Sequence, residues 1–178
     1  MGPVRRGFRN LLVFGGRDTA AQFWPFAAAV LGATFVVGNV LFVVVAGVTG
    51  AMASRDTAES TDVLIGTGMP NPLPLVVLTA VVAAVAACLL AAAVTRRLHD
   101  RGHRGGWAGI PLVLLGTGLV MFAFVVESFE RSSDPDPTLF FLTFANNLVY
   151  FVVMALLVWQ LIRSGTDGEN RFGAPTTD

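Results

Sequence analysis

Four stretches of this chain, residues 19–54, 63–95, 105–126 and 137–162, contain no Asp, Glu, Lys, Arg or His. A helix needs about 20 predominantly apolar residues to cross a hydrocarbon core of ~30 Å, and each stretch is longer than that. A soluble bundle would need a polar face on each helix, and these stretches have none. The pattern predicts an all-α fold, a four-helix transmembrane bundle, with spans near 23–48, 75–94, 107–126 and 139–161. Residues 1–22 form a basic amphipathic segment, 23–163 the membrane domain and 164–178 a flexible tail.

Arginine placement sets the orientation. Arg5, Arg6, Arg9 and Arg17 precede the first span, Arg96, Arg97, Arg101 and Arg104 join the second to the third, and Arg163 and Arg171 follow the fourth. The other two loops hold only Arg55 and Arg131. Arginine-rich loops stay in the cytoplasm, so both termini and the central loop are expected there. "VRRGF" near the start resembles an export signal, but Arg17 and Asp18 interrupt it and the apolar run beyond is too long for a signal core. The first span is therefore read as retained.

Composition excludes several classes. The formal net charge is zero, so nucleic acid is not an expected partner. A single cysteine, Cys88, allows no intrachain disulfide and no cysteine-based zinc site. The cationic residues are all arginine in an Ala-, Val- and Gly-rich chain, which points to a GC-rich bacterial genome.

Val4, Phe8, Leu11 and Leu12 share one helical face while Arg5, Arg6 and Arg9 share another, the pattern of a short helix lying in the membrane interface. Phe23, Trp24 and Phe26 suit the headgroup level, with Pro25 in a first helical turn. Small pairs four apart, Ala80/Ala84, Ala83/Ala87 and Ala87/Ala91, would let neighbours approach the second span closely. Gly165 is the expected C-cap of the fourth span. At ~1.5 Å per residue, Asn39, Thr79 and Asn146 fall at one depth and form a candidate intramembrane polar layer.

The most unusual stretch is "RRLHDRGHRGGW", residues 96–107. His99 and His103 flank Asp100 in an HDxxH spacing close to the zinc motif HExxH. Gly102 disfavours a helix there, four arginines repel a divalent cation, and no third ligand is evident, so no metal and no cofactor is expected. No serine or threonine has an activating motif, although His99 has a pKa suited to proton transfer. The alternative is a turn and anchor. Arg96 and Arg97 would reach lipid phosphates, Asp100 would accept hydrogen bonds from an arginine, Gly102, Gly105 and Gly106 would permit the reversal, and Trp107 would anchor the third span.

Three stretches together resemble a bacterial inner-membrane family, domain of unknown function 805. The first is Gly16, Arg17, Phe23, Trp24 and Phe26. The second is Arg96, Arg97, Leu98, His99, Asp100, Gly102, Gly105 and Trp107, with Gly106 where the family usually has Trp. The third is Gly165, Gly168, Asn170, Phe172 and Gly173. The resemblance implies a small multi-span membrane protein and supplies no activity.

The predicted topology puts all three stretches on one side. A polar cluster of Arg17, Arg97, His99, Asp100 and Asn170 is therefore expected, with Arg96 nearby and Trp24, Trp107 and Phe172 shielding it from lipid. Asp100 and His99 would supply acceptors. The expected function is non-enzymatic binding of anionic lipid headgroups or a protein partner, homo-oligomers included. The alternative is a small-solute transporter or channel component, and a third reading is a membrane enzyme using His99 and Asp100.

Overall fold

In the computed structural model, which describes residues 2–59, 72–131 and 137–174, the chain folds into five helices. They are α1 (Pro3–Arg9), α2 (Ala20–Glu59), α3 (Leu73–Asp100), α4 (Gly109–Arg131) and α5 (Pro137–Ile162), with a single 3₁₀ turn, Gly105–Ala108, leading into α4. Helices α2 to α5 are each long and apolar enough to cross a membrane. Most of the loop at 50–72 and the acidic residues Asp134 and Asp136 lie outside the described residues.

The helices outrun the expected spans. Helix α2 is 40 residues, about 60 Å, and begins three residues before Phe23. Pro25 thus sits inside its second turn. Helix α3 continues through the charged motif, so Arg97, His99 and Asp100 occupy its last turn and Arg96 directly precedes it.

The bundle is two hairpins, α2 with α3 and α4 with α5. Alanine-rich α3 joins them by touching both α4 and α5. A side-chain carbon added at Gly38 would lie 3.3 Å from Val82, so α2 and α3 approach closely there. Along the spans, large apolar side chains such as Phe35, Val43, Val113, Phe141 and Phe151 are exposed. So extensive an exposed apolar surface marks a membrane or protein contact, and on four helices of this length and hydropathy it fits the hydrocarbon of a bilayer.

The packed core lies at one end. Phe23, Phe26, Ala27 and Val30 of α2 meet Ala93 and Leu98 of α3 and Leu161 of α5. Helix α1 folds onto this core. Phe8 packs edge-on to Phe26 at 5.3 Å, and Gly7 is buried where any side chain would strike the Phe26 ring. Gly7 costs helix propensity and gains this contact.

The polar layer does not assemble. Asn39 and Thr79 line one shallow groove between α2 and α3, yet each bonds its own helix, Asn39 to the Phe35 carbonyl and Thr79 to the Leu75 carbonyl. Asn146 crosses instead to the Leu114 carbonyl of α4 at 3.1 Å. Equal depth is not equal azimuth: the hairpin pairing puts Asn146 against α4, away from Asn39.

Candidate functional site

The C-termini of α1, α3 and α5 converge at the end of the bundle that carries the N-terminal segment and the tail through residue 174. A helix C-terminus leaves four carbonyls without intrahelical partners and carries partial negative charge. Here arginine side chains supply many of the missing donors. Arg96 donates to the Asn10 carbonyl at the end of α1 (2.9 Å) and to that of Val13. Arg97 donates to Leu161 (3.0 Å) and Arg163 at the end of α5. Arg101 donates to Ser164 (2.5 Å) and Arg171 to Gly102 (2.7 Å).

Two carboxylates complete the network. Asp100 is held between two guanidinium groups, with Arg17 at 2.9 Å and Arg97 at 2.5 Å. Asp18 pairs with Arg96 at 2.7 Å and with Arg6 at 3.2 Å. The Arg17, Arg97 and Asp100 side chains are nearly inaccessible, at 1%, 1% and 6%. Four arginines face two carboxylates, and backbone carbonyls meet the excess positive charge.

Arg17 is the connector. Besides Asp100 it donates to the backbone carbonyls of Thr166 (2.6 Å), Gly168 (2.8 Å) and Gly173 (3.2 Å). Thr166 in turn donates its backbone N–H to the Asp100 carbonyl at 3.0 Å. Gly165 passes directly over the Asp100 carboxylate, where any side chain would overlap it. The tail through residue 174 has no helix, but these bonds pin it to α3. Residues 164–174 of the segment expected as a flexible tail are bonded to α3 and Arg17. Gly165 is a close-approach position rather than a left-handed helix cap, since positive φ occurs instead at Gly16, Gly102 and Gly173.

His99 plays a different part from the one expected. Its ring stacks on Phe172 at 3.8 Å and 6°. Its Nδ1 lies 3.2 Å from the Gly16 carbonyl, which only accepts, so the ring donates there. The acceptor is its backbone carbonyl, bonded by the Asn170 amide at 3.0 Å. Asn170 also holds Phe172 N–H through its Oδ1 at 2.9 Å and so sets the stacking ring.

His99 lies past the charge-free part of α3. Burial holds its imidazole below the usual histidine range, and nearby Arg171 adds to this while the Gly16 bond opposes it. A histidine whose folded pKa is depressed contributes stability that is full above its unfolded value of ~6.5 and is lost as pH falls through the folded value. Acidification below about pH 6.5 is therefore expected to loosen the tail. Proteolysis rates within 164–174 should rise, and His99→Gln should remove this pH dependence.

The structure brings together Arg17, Arg97, His99, Asp100, Asn170 and Phe172, and sets Arg96 beside them. It does not bring in Trp107, which is 60% exposed. Trp24 packs on the apolar core, edge-on to Phe23 at 5.1 Å, rather than over the charges. Arg96 and Arg97 were expected to reach lipid phosphates. They are buried, with their donors engaged inside the protein. Asp18 and Thr166 were missed as partners. The signal for Asp18 was an acidic residue directly after Arg17 in an N-terminal segment whose other charges are arginines. The two histidines do not share a site, since His103 lines a separate cavity. Among the described residues, no group of three or more His, Cys, Asp or Glu is placed to hold a metal ion.

Fold and site define a multi-pass membrane protein whose terminus-bearing end is closed by a buried charge network. The chain belongs to the family described as Protein of unknown function (DUF805), whose model matches residues 11–174. That range takes in the whole network except Arg6 and the Asn10 carbonyl. No curated protein and no solved structure matches the chain.

Proposed function

We propose that this is a non-enzymatic protein of the bacterial inner membrane, with both termini cytoplasmic, that binds anionic lipid headgroups through the rim of its charge-locked end. One observation carries this reading: the network pins a segment that presents cations and apolar side chains side by side. Arg5 and Arg9 are exposed. Leu12, Val13 and Phe14 are exposed beside them, Leu12 at 88%. That combination suits the boundary between headgroups and acyl chains. Arg104, also exposed, adds a third cation. The buried arginines have a separate task. They hold the N-terminal segment, α3 and the tail as one platform and leave headgroup contact to the rim.

Each exposed cation near an anionic surface contributes about 1 kcal/mol. Purified protein exposed to equimolar phosphatidylglycerol and phosphatidylcholine should therefore retain the anionic lipid preferentially, by about tenfold or more, in native mass spectrometry. The triple variant R5Q/R9Q/R104Q should lose the preference. Equal retention of the two lipids by the wild-type protein would refute the reading. Displacement of lipid by a tightly held protein would favour a protein partner in its place.

A further inference from the structure

Helix α2 carries a half-bonded polar group on an exposed face deep within its span. Asn39 stands 16 residues before Arg55 and 21 after Asp18, so about 24 Å or more of helix separates it from either charge. Its side chain is exposed. One amide N–H donates to the Phe35 carbonyl at 2.8 Å, and among the described residues that is its one hydrogen bond. A carboxamide carries two N–H donors and an oxygen with two lone pairs. The second N–H and the oxygen of Asn39 therefore face hydrocarbon, where a polar group without a partner is costly. Thr79, across the shallow groove, gives its hydroxyl proton to the Leu75 carbonyl instead.

The positions around Asn39 have the spacing of a helix–helix seam. Gly32, Val36, Asn39, Val43, Ala46 and Gly50 follow one another at intervals of four, three, four, three and four residues. That repeat belongs to a left-handed crossing at about +20°. The seam is turned away from α3. Gly38, which lies against Val82, is on average about 120° round the helix from it. Val36 and Val43 are 60% and 69% exposed. A side-chain carbon added at Gly32 or Gly50 would meet nothing within 4 Å among the described residues. Small seam residues let backbones approach closely, and a single Asn at a seam position fixes register and partner number.

The chemistry of Asn39 selects what covers this seam. Its unused groups are a donor and an acceptor, and the same residue of a second copy offers the same two. Across a twofold axis along the membrane normal, each amide donates to the other's oxygen, and symmetry puts both at one depth. Acyl chains offer neither bond. Asn147 of α5 is exposed as well, but Phe144 and Phe151, three and four residues from it, are 57% and 65% exposed, and these rings keep a neighbouring backbone away. We propose that α2 is the interface of a parallel, twofold-symmetric homodimer closed by reciprocal hydrogen bonds between the two Asn39 side chains. The proposal is independent of headgroup binding at the rim.

Full-length protein in phosphatidylcholine vesicles tests it. The chain contains no lysine, so an amine-reactive dye marks each copy once, and photobleaching steps count the copies in a particle as lipid is added. Two-step particles that separate into single copies on dilution are expected. Asn39→Leu should raise the protein density at half-dissociation about eightfold, the effect expected of two interhelical hydrogen bonds. Gly32→Leu should raise it at least as far, while Gly116→Leu, on α4 and equally free of neighbours, should leave it unchanged. In a Cys88→Ser background, Val36→Cys and Val43→Cys should each form same-site disulfides under mild oxidation. Val37→Cys and Val44→Cys, on another exposed face of α2, should not. A melting temperature matching the parent's shows that each variant is folded, and if Gly32→Leu fails this check Gly50→Leu replaces it. Single copies at every density, a count other than two, or dimers that Asn39→Leu leaves intact would overturn the proposal. So would disulfides forming as readily at Val37 and Val44, or dissociation caused by Asn147→Leu in place of Asn39→Leu.

Discussion

Asp100→Ala is expected to destabilise the protein by about 3–5 kcal/mol, the cost of breaking a buried ion pair from one side. The effect is large because one carboxylate serves two arginines that are themselves inaccessible. With alanine there, Arg17 and Arg97 remain as two buried like charges facing backbone carbonyls and the Thr166 hydroxyl, with no carboxylate between them. Asp100→Asn keeps the shape and one acceptor but turns an N–H₂ toward a guanidinium. It should cost less, about 1–3 kcal/mol. Reversible unfolding in mixed micelles measures both. Because the pair is buried, added salt should change these values little, whereas it would weaken a surface pair. A loss below about 1 kcal/mol for Asp100→Ala would mean that the carboxylate is not held as described.

Arg17→Ala is expected to release the tail. Arg17 is bonded to Thr166, Gly168 and Gly173 as well as to Asp100, so its loss removes the side-chain link between the start of α2 and residues 164–174. The buried-pair cost is again about 3–5 kcal/mol. The distinguishing readout is local: cleavage within 164–174 should accelerate at least tenfold at temperatures where α2 to α5 stay folded. Arg17→Lys should behave nearly like alanine, since an ammonium cannot reproduce the planar fork that spans a carboxylate and several carbonyls. A tail equally protected in Arg17→Ala and wild type would assign its attachment to its other contacts, those of Ser164, Thr166, Asn170, Arg171 and Phe172.

The four helices and the side that carries the motifs were legible because they follow from composition. A run without charge has few alternatives to a membrane span. The pairing of the arginines was less legible. Arg96 and Arg97 looked like lipid contacts because a cation at the end of a span usually meets phosphate. What buries them is Asp18, 78 positions from Arg96, and the carbonyls at the ends of α1 and α5. Spacing along the chain does not encode which helix ends converge. Asp100 was legible as an acceptor, being an acid among arginines. Gly165 was legible as a needed glycine, but for the wrong reason. Its role depends on the carboxylate it crosses, which only the tertiary fold supplies. The polar layer failed for the same cause: residue count gives depth, and helix packing decides azimuth.

The central claim is that three distant stretches of sequence lock together through Arg17 and Asp100. The most direct test is a double-mutant cycle on that pair, with Arg17→Ala, Asp100→Ala and the double variant unfolded under identical conditions. Residues in one buried network couple by about 0.5–3 kcal/mol, while independent sites add to within ~0.3–0.5 kcal/mol. The account predicts a coupling near the top of that range, about 2–3 kcal/mol, so that the double variant falls well short of the sum of the two single ones. Strict additivity would contradict it and would leave the motifs as separate anchors that merely share a membrane face.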